Sequence, residues 1–367
     1  MDKPLRFHWS LSQAGDRFRR TRSTLDQPGV LDLNEQIRVC EMAEQCGIES
    51  MLMAIGFTRP DPTLLSIAIG KRTRTIKFMI ACRSGLISPL YFVQQINTAS
   101  QLIGGRICIN IVCGHTPHEL KYYGDHLSHD ERYERTGEFL TVCRALWRGE
   151  RDVEFQGRYL RTEHCTVDTP FLCAEGRTPE IFLGGNSEAA RTLAIEHADC
   201  LWRFPAEPDK VATEIEPVAR AGKETGLLVS LIARASTREA HDAASALLEN
   251  FGDSARALHE ELSKRSDSTG FRSTYAMAHQ PSTWMTPRLW TGAVPYLGAP
   301  SIALVGSFDD IASELMTYRQ CGITQFLFTG WPDIEEIAYF GREVLPRVRR
   351  LEQSKETAFV MARGVPS

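Results

Sequence analysis

The chain has 367 residues, 43% of them hydrophobic and 24% charged, with a formal net charge of −4. That balance suits a globular protein with a sizeable core, and its sign argues against a nucleic-acid binder, whose footprint is basic. The opening MDKPLRFHWS has no apolar stretch of the kind a signal peptide needs, and no run of about 18 apolar residues predicts a membrane span.

Short apolar runs alternate with amphipathic stretches. In chain order the pattern predicts a strand over Leu5–Ser10, a helix over Leu31–Cys46, a strand over Ser50–Ile55 and a helix over Asp61–Gly70. Next come strand Ile76–Cys82, helix Pro89–Leu102, strand Arg106–Cys113 and helix Asp130–Trp147. Strand Glu180–Leu183, helix Ser187–His197, strand Cys200–Arg203 and helix Lys210–Thr225 follow, then strand Leu227–Arg234, helix Asp309–Cys321 and strand Gln325–Thr329. Such repetition predicts an α/β fold, a (β/α)8 TIM barrel. A doubly wound dinucleotide fold would want GxGxxG after its first strand, and FHWSLSQAG is not that.

Two segments exceed a minimal barrel. About 151–171 alternates like an inserted β-hairpin. About 237–299 starts helical and turns irregular, the pattern of a mobile lid. One domain is expected over 1–352, with 353–367 a loosely tied tail that already begins near Glu352. The 10 cysteines form no CxxC pair, which suits a reducing cytoplasm, and no Cys/His spacing predicts a metal site.

In a barrel, chemistry collects just past the C-terminal ends of the strands. Those positions hold Trp9, Arg59, Arg83, Asn110, Cys113, His115, Trp202, Arg203 and Trp331. The rim is aromatic and basic, which favours a flat anionic ligand. In LGGNSEAAR, Gly185, Asn186 and Ser187 read either as a phosphate cradle at a helix start or as an ordinary glycine turn with a cap. Tyr133 in LSHDERYER is a second phosphate candidate, or simply part of a helix opening. Cys113 reads as a reactive thiol or an inert buried one, and His8 lies within the first strand facing lumen or shell. No Ser/His/Asp or Cys/His set supports hydrolysis.

Beyond these local signals, the chain resembles the bacterial luciferase-like flavin monooxygenases, most closely their FMNH2-dependent alkanesulfonate branch. The resemblance runs from Phe7 to Val348 and rests on ACRSGLISP, GGRICINIVCGHTPHEL, LSHDERYER, EIFLGGNSEAAR, PRLWTGAV, IALVGSFDDIASEL and GITQFLFTGWPDIEEIAYFGREVLP. It implies FMN in the barrel mouth, with its phosphate near Tyr133 and the Gly185–Asn186–Ser187 turn. Asn110, Cys113, His115 and the turn Cys82–Ser84 would then line the flavin ring. It implies a two-component monooxygenase using FMNH2 and O2 through a flavin C4a-(hydro)peroxide, a separate NAD(P)H:FMN reductase as partner, and a homodimer or homotetramer.

At least four positions depart from the alkanesulfonate pattern. The Arg-x-His pair of the seventh strand becomes Leu228 and Ser230, and the cysteine after the second strand becomes Arg59. The tyrosine of the eighth strand becomes Trp331, and the mobile-loop arginine falls near Pro295 and Tyr296. Indole is donor-only and does not titrate, so a changed substrate is expected. Arg59, Trp331 and His8 are the catalytic candidates; Trp9, Trp202, Arg203 and Tyr296 are the substrate-pocket candidates. The alternatives are an F420-dependent hydride-transfer enzyme and a flavin-binding barrel without turnover.

Overall fold

The computed structural model describes residues 3–11, 31–114, 116–173, 176, 178–249, 251–331 and 333–362. Its strands are β1 (Arg6–Ser10), β2 (Ser50–Met53), β3 (Lys77–Cys82), β4 (Ile107–Ile111), β5 (Val153–Gln156), β6 (Arg161–Cys165), β7 (Ile181–Gly184), β8 (Cys200–Arg203), β9 (Glu224–Arg234), β10 (Leu289–Trp290), β11 (Ala303–Ser307) and β12 (Gln325–Thr329). Runs such as SMLM and QFLFT are buried at every position, as parallel strands covered on both faces must be. β1, β2, β3, β4, β7, β8, β9 and β12 pair in parallel in that order, and β12 pairs back to β1. The closed ring with its outer helices is the expected (β/α)8 barrel. Pro62, Pro89 and Pro208 each stand in the first turn of a helix, where the missing N–H costs no hydrogen bond.

The hairpin is present as the antiparallel pair β5–β6. The seventh barrel strand, β9, starts at Glu224, three residues before the apolar run suggests. Its polar beginning points into the barrel, where the Glu224 carboxylate lies 3.3 Å from Arg6 Nη1. The far half of β9 outruns the ring and pairs with β11 instead.

The expected irregular lid is mostly helical, with helices Thr237–Glu249, Asp253–Arg265 and Thr269–Ala278. The last is hidden in sequence by Gly270, Ser273 and Thr274, all poor helix formers. Tertiary packing overrides them: Ser268 caps the helix by accepting from Phe271 N, and Thr274 and Tyr275 are buried. Glu352, where the loose tail was expected to begin, is anchored. Helix Leu345–Ala362 runs through it, and Glu352 accepts from Leu5 N at 2.7 Å while pairing with Arg319 at 3.0 Å. No helix among the described residues is long and apolar enough to cross a membrane.

Candidate active site

Alternation along each strand decides what reaches the mouth. Inside the ring, Leu52, Met79, Ala81, Cys108, Phe182, Cys200, Trp202 and Leu327 pack as one cluster. Phe7, Trp9, Cys82 and Cys113 belong to the larger cluster between sheet and helices.

This alternation corrects several sequence expectations. Trp9 faces outward and donates from Nε1 to Asp333 Oδ1 at 3.0 Å. The Cys82 side chain points into the helical shell, where burial pushes its thiol far up. Cys113 lies 3.5 Å from Thr136 Oγ1, and burial holds its thiol protonated, pushed up to about 11. It is therefore no ready nucleophile. Arg203 turns out to pair with Glu214 on helix Pro208–Arg220, so it is unavailable to a substrate. Tyr296 stacks on Phe251 with centroids 6.0 Å apart, among the inserted helices. His115 lies outside the described residues.

His8 does face the lumen, but below the mouth. It is fully buried, with Nδ1 2.7 Å from Ser50 Oγ and Nε2 2.8 Å from Gln325 Oε1. Gln325 donates its amide to Glu224, so its oxygen faces His8 and the imidazole carries its proton on Nε2. Trp202 and Phe182 stack on each other with centroids 5.3 Å apart, both edge-on to His8. Both ring nitrogens are engaged, which removes His8 from proton transfer at the mouth.

Trp202 fits only because its register partner on the neighbouring strand β9 is Gly226. A methyl group on Gly226 would overlap the indole. Gly226→Ala should therefore cost about 1–3 kcal/mol by overpacking, and adding Trp202→Leu should recover part of it. Denaturant unfolding of the single and double variants checks this; strictly additive losses would refute a shared space.

The structure brings Tyr133, Gly185 and Ser187 together. Ser187 caps helix Glu188–His197 by accepting from Ala190 N at 3.1 Å, and Tyr133 lines the same groove as Ser187. A Cβ on Gly185 would lie 2.5 Å from Ala190 Cβ and 3.0 Å from the Tyr133 hydroxyl, so only glycine lets the turn close this tightly. A groove of about 1010 Å³ reaches this spot, running between helices His129–Trp147 and Glu188–His197. Asn186 is used differently: its Oδ1 accepts from Phe204 N at 3.3 Å and touches Gly270 of the lid helix. Phe271 packs edge-on against Phe204 at 5.5 Å, and Asp267 pairs with the buried Arg132 at 2.7 Å. The lid is thus docked on the turn.

Three polar atoms at the upper barrel are buried without a hydrogen-bond partner: Asn110 Oδ1, Trp202 Nε1 and Trp331 Nε1. Asn110 is level with Ala81 and Phe182 in the register, hence inside the ring. Arg59 stands at the rim beside Gly56, next to Glu119. Sequence reading passed over Glu119 and Asp267, which meet the site only in space, and Gly226. It placed Arg83 at the rim within the Cys82–Ser84 turn expected along the flavin ring, without separating the outward Cys82 from the inward Arg83.

The luciferase-like monooxygenase family model matches residues 6–325, and the chain belongs to that family. Among solved structures it is similar to EDTA monooxygenase from Chelativorans sp. BNC1 (18% identity, TM-score 0.74, covering 96% of this chain and 94% of that one). It is also similar to a long-chain alkane monooxygenase (18%, 0.71, 96% and 92%). An F420-dependent secondary alcohol dehydrogenase shares the fold as well (17%, 0.67, 95% and 100%).

Proposed function

We propose that this protein is an FMNH2- and O2-dependent monooxygenase acting on a small organic substrate, with reduced flavin delivered by a separate NAD(P)H:FMN reductase. The observation that carries the reading is the Tyr133–Gly185–Ser187 constellation at a helix start, within a barrel whose family is monooxygenase-like. The residues present fit the group. Backbone N–H groups at the start of helix Glu188–His197, with Tyr133 and Ser187, would hold a phosphate. Asn110 Oδ1 and Trp202 Nε1, an acceptor and a donor without partners, match a flavin ring edge that offers both.

Bound reduced FMN would supply the electrons that activate O2. The protein's part is to orient the ring, to exclude water and to position the substrate. The Trp202–Phe182 stack floors the pocket, and helix Thr269–Ala278 covers the phosphate turn. Trp331 can position a substrate by donating from its indole, and cannot pass a proton. Arg59 stands on the rim of the same mouth. Ten scattered thiols suit the cytoplasm, and a homo-oligomer is part of the proposal.

The test is anaerobic binding of FMNH2 followed by rapid mixing with oxygenated buffer. A two-phase return of oxidised-flavin absorbance, with a pause absent from free FMNH2, is the expected result. Binding with a single phase as fast as the free flavin would overturn the reading in favour of F420 or a carrier role, and no binding would overturn it in favour of F420. Tyr133→Phe with Ser187→Ala should weaken FMNH2 binding at least about tenfold, and leave reduced riboflavin nearly unaffected.

A further inference from the structure

Arg83 is a buried cation with more donors than partners. It follows Cys82 directly, so alternation turns it toward the mouth, while Ser84 lies 2.8 Å from Thr136 on the helical side. Only 5% of the residue is exposed. Nη2 donates to Glu119 Oε1 at 3.0 Å, and the guanidinium lies 5.7 Å from the Tyr123 ring. Nε and Nη1 are buried and donate to nothing. A guanidinium holds its donors in a rigid plane, and unmet buried donors are costly, so a site like this is built for an acceptor.

Arg59 flanks it. The Cβ position of Gly56 is 3.6 Å from both Arg59 Cδ and Glu119 Oε1, so Arg59 stands on the same side of the rim as the Arg83–Glu119 pair. Glu119 satisfies one nitrogen of Arg83 and leaves the others to an incoming group.

We propose that Arg83, flanked by Arg59, forms an oxyanion subsite that takes the carboxylate, sulfonate or phosphate of the substrate. The assignment rests on the reading of the barrel mouth as the active site, while anion binding itself is testable without flavin. Arg83 supplies the hydrogen bonds, and Arg59 the added field. Arg203, turned outward to Glu214, takes no part.

The experiment titrates the flavin-free full-length protein with acetate, methanesulfonate or inorganic phosphate and follows its thermal midpoint. Non-specific salt effects are common to all variants and cancel between them. The wild type should show a saturable rise, which Arg83→Gln abolishes and Arg83→Lys weakens about tenfold. Glu119→Gln removes the competing carboxylate and should tighten half-saturation roughly tenfold. A plain structural ion pair predicts the opposite, a loss of stability with no change in anion response. That result, or an undiminished response in Arg83→Gln, overturns the proposal. Because Arg83→Gln leaves Glu119 unpaired and can fail to fold, Arg83→Lys and Glu119→Gln carry the test without it. A second arm compares reduced FMN with reduced riboflavin: if Arg83→Lys weakens only FMN, the subsite is the flavin's own and the proposal falls. If the wild type binds no flavin, the monooxygenase reading fails while the anion titration still decides the subsite.

Discussion

Arg6→Met should lower stability at pH 7 by about 3–5 kcal/mol, the range for removing one partner of a buried charge cluster. The Arg6 guanidinium closes the bottom of the barrel from β1. Nε and Nη2 reach Glu49 at 2.8 and 2.6 Å, both terminal nitrogens reach Glu180 at 2.6 and 2.8 Å, and Nη1 lies 3.3 Å from Glu224. These carboxylates come from the entrances of β2, β7 and β9, so one side chain ties four strands. Burial opposes ionisation of Glu49, yet the Arg6 hydrogen bond and nearby charges hold it down at about 2. Without Arg6, Lys77 at 3.4 Å from Glu49 is the main remaining counter-charge, since Lys3 is exposed. The orphaned glutamates would then take up protons, so the deficit should shrink as pH falls from 7 to 5. Urea unfolding of both proteins at the two pH values measures it. A loss under about 1 kcal/mol, or one independent of pH, would mean that the cluster is solvent-screened and holds nothing.

The barrel was legible because strands buried on both faces are continuous apolar runs, and such runs need no partner to be recognised. Ser50–Met53 and Gln325–Thr329 are of this kind. β9 was shortened by three residues because its opening Glu224-Thr225-Gly226 answers to contacts far along the chain, with Arg6 and Trp202. Site residues were harder. Closeness to a strand end placed Trp9, Arg83, Trp202 and Arg203 on the rim alike, and the resemblance added Cys82, whereas the pleat sends Trp9, Cys82 and Arg203 outward and Arg83 and Trp202 inward. Alternation was available in the sequence; what fixes its phase is the lumen, seen once His8 meets Phe182 and Trp202. The turn proposed to hold the phosphate was marked in LGGNSEAAR as a capped helix start, a local signature that the structure bears out in Ser187 accepting from Ala190 N. Its cover was not: Gly270 is a helix breaker on its own, and a necessity only against Asn186 and Phe204.

His8 should make the barrel acid-sensitive by about 3 kcal/mol. Burial is the first cause that lowers its pKa, from 6.5 to about 4, and the charges of Glu49 and Arg6 act in opposite directions around it. Between those values the unfolded chain binds a proton that the folded one refuses, so stability falls as pH falls through the window. The full difference, 2.5 units at ~1.36 kcal/mol each, is about 3 kcal/mol. Glu336 acts the other way: burial, opposed by Arg234, pushes its carboxyl up to about 7, so its effect on stability improves as pH drops toward 4.5. His197, lowered by burial, adds to the His8 direction. The wild-type curve alone therefore understates His8, and the comparison must be with a variant that changes only this group. His8→Gln keeps a polar side chain between Ser50 and Gln325 and does not titrate. It should be less stable than the wild type at pH 7.5, where the imidazole packing is intact. That gap should close by about 2.5 kcal/mol on going to pH 4.5, measured by denaturant unfolding at matched ionic strength. A gap that stays constant would mean that His8 titrates alike in both states, and that the Trp202–Phe182 floor admits water to the layer beneath it.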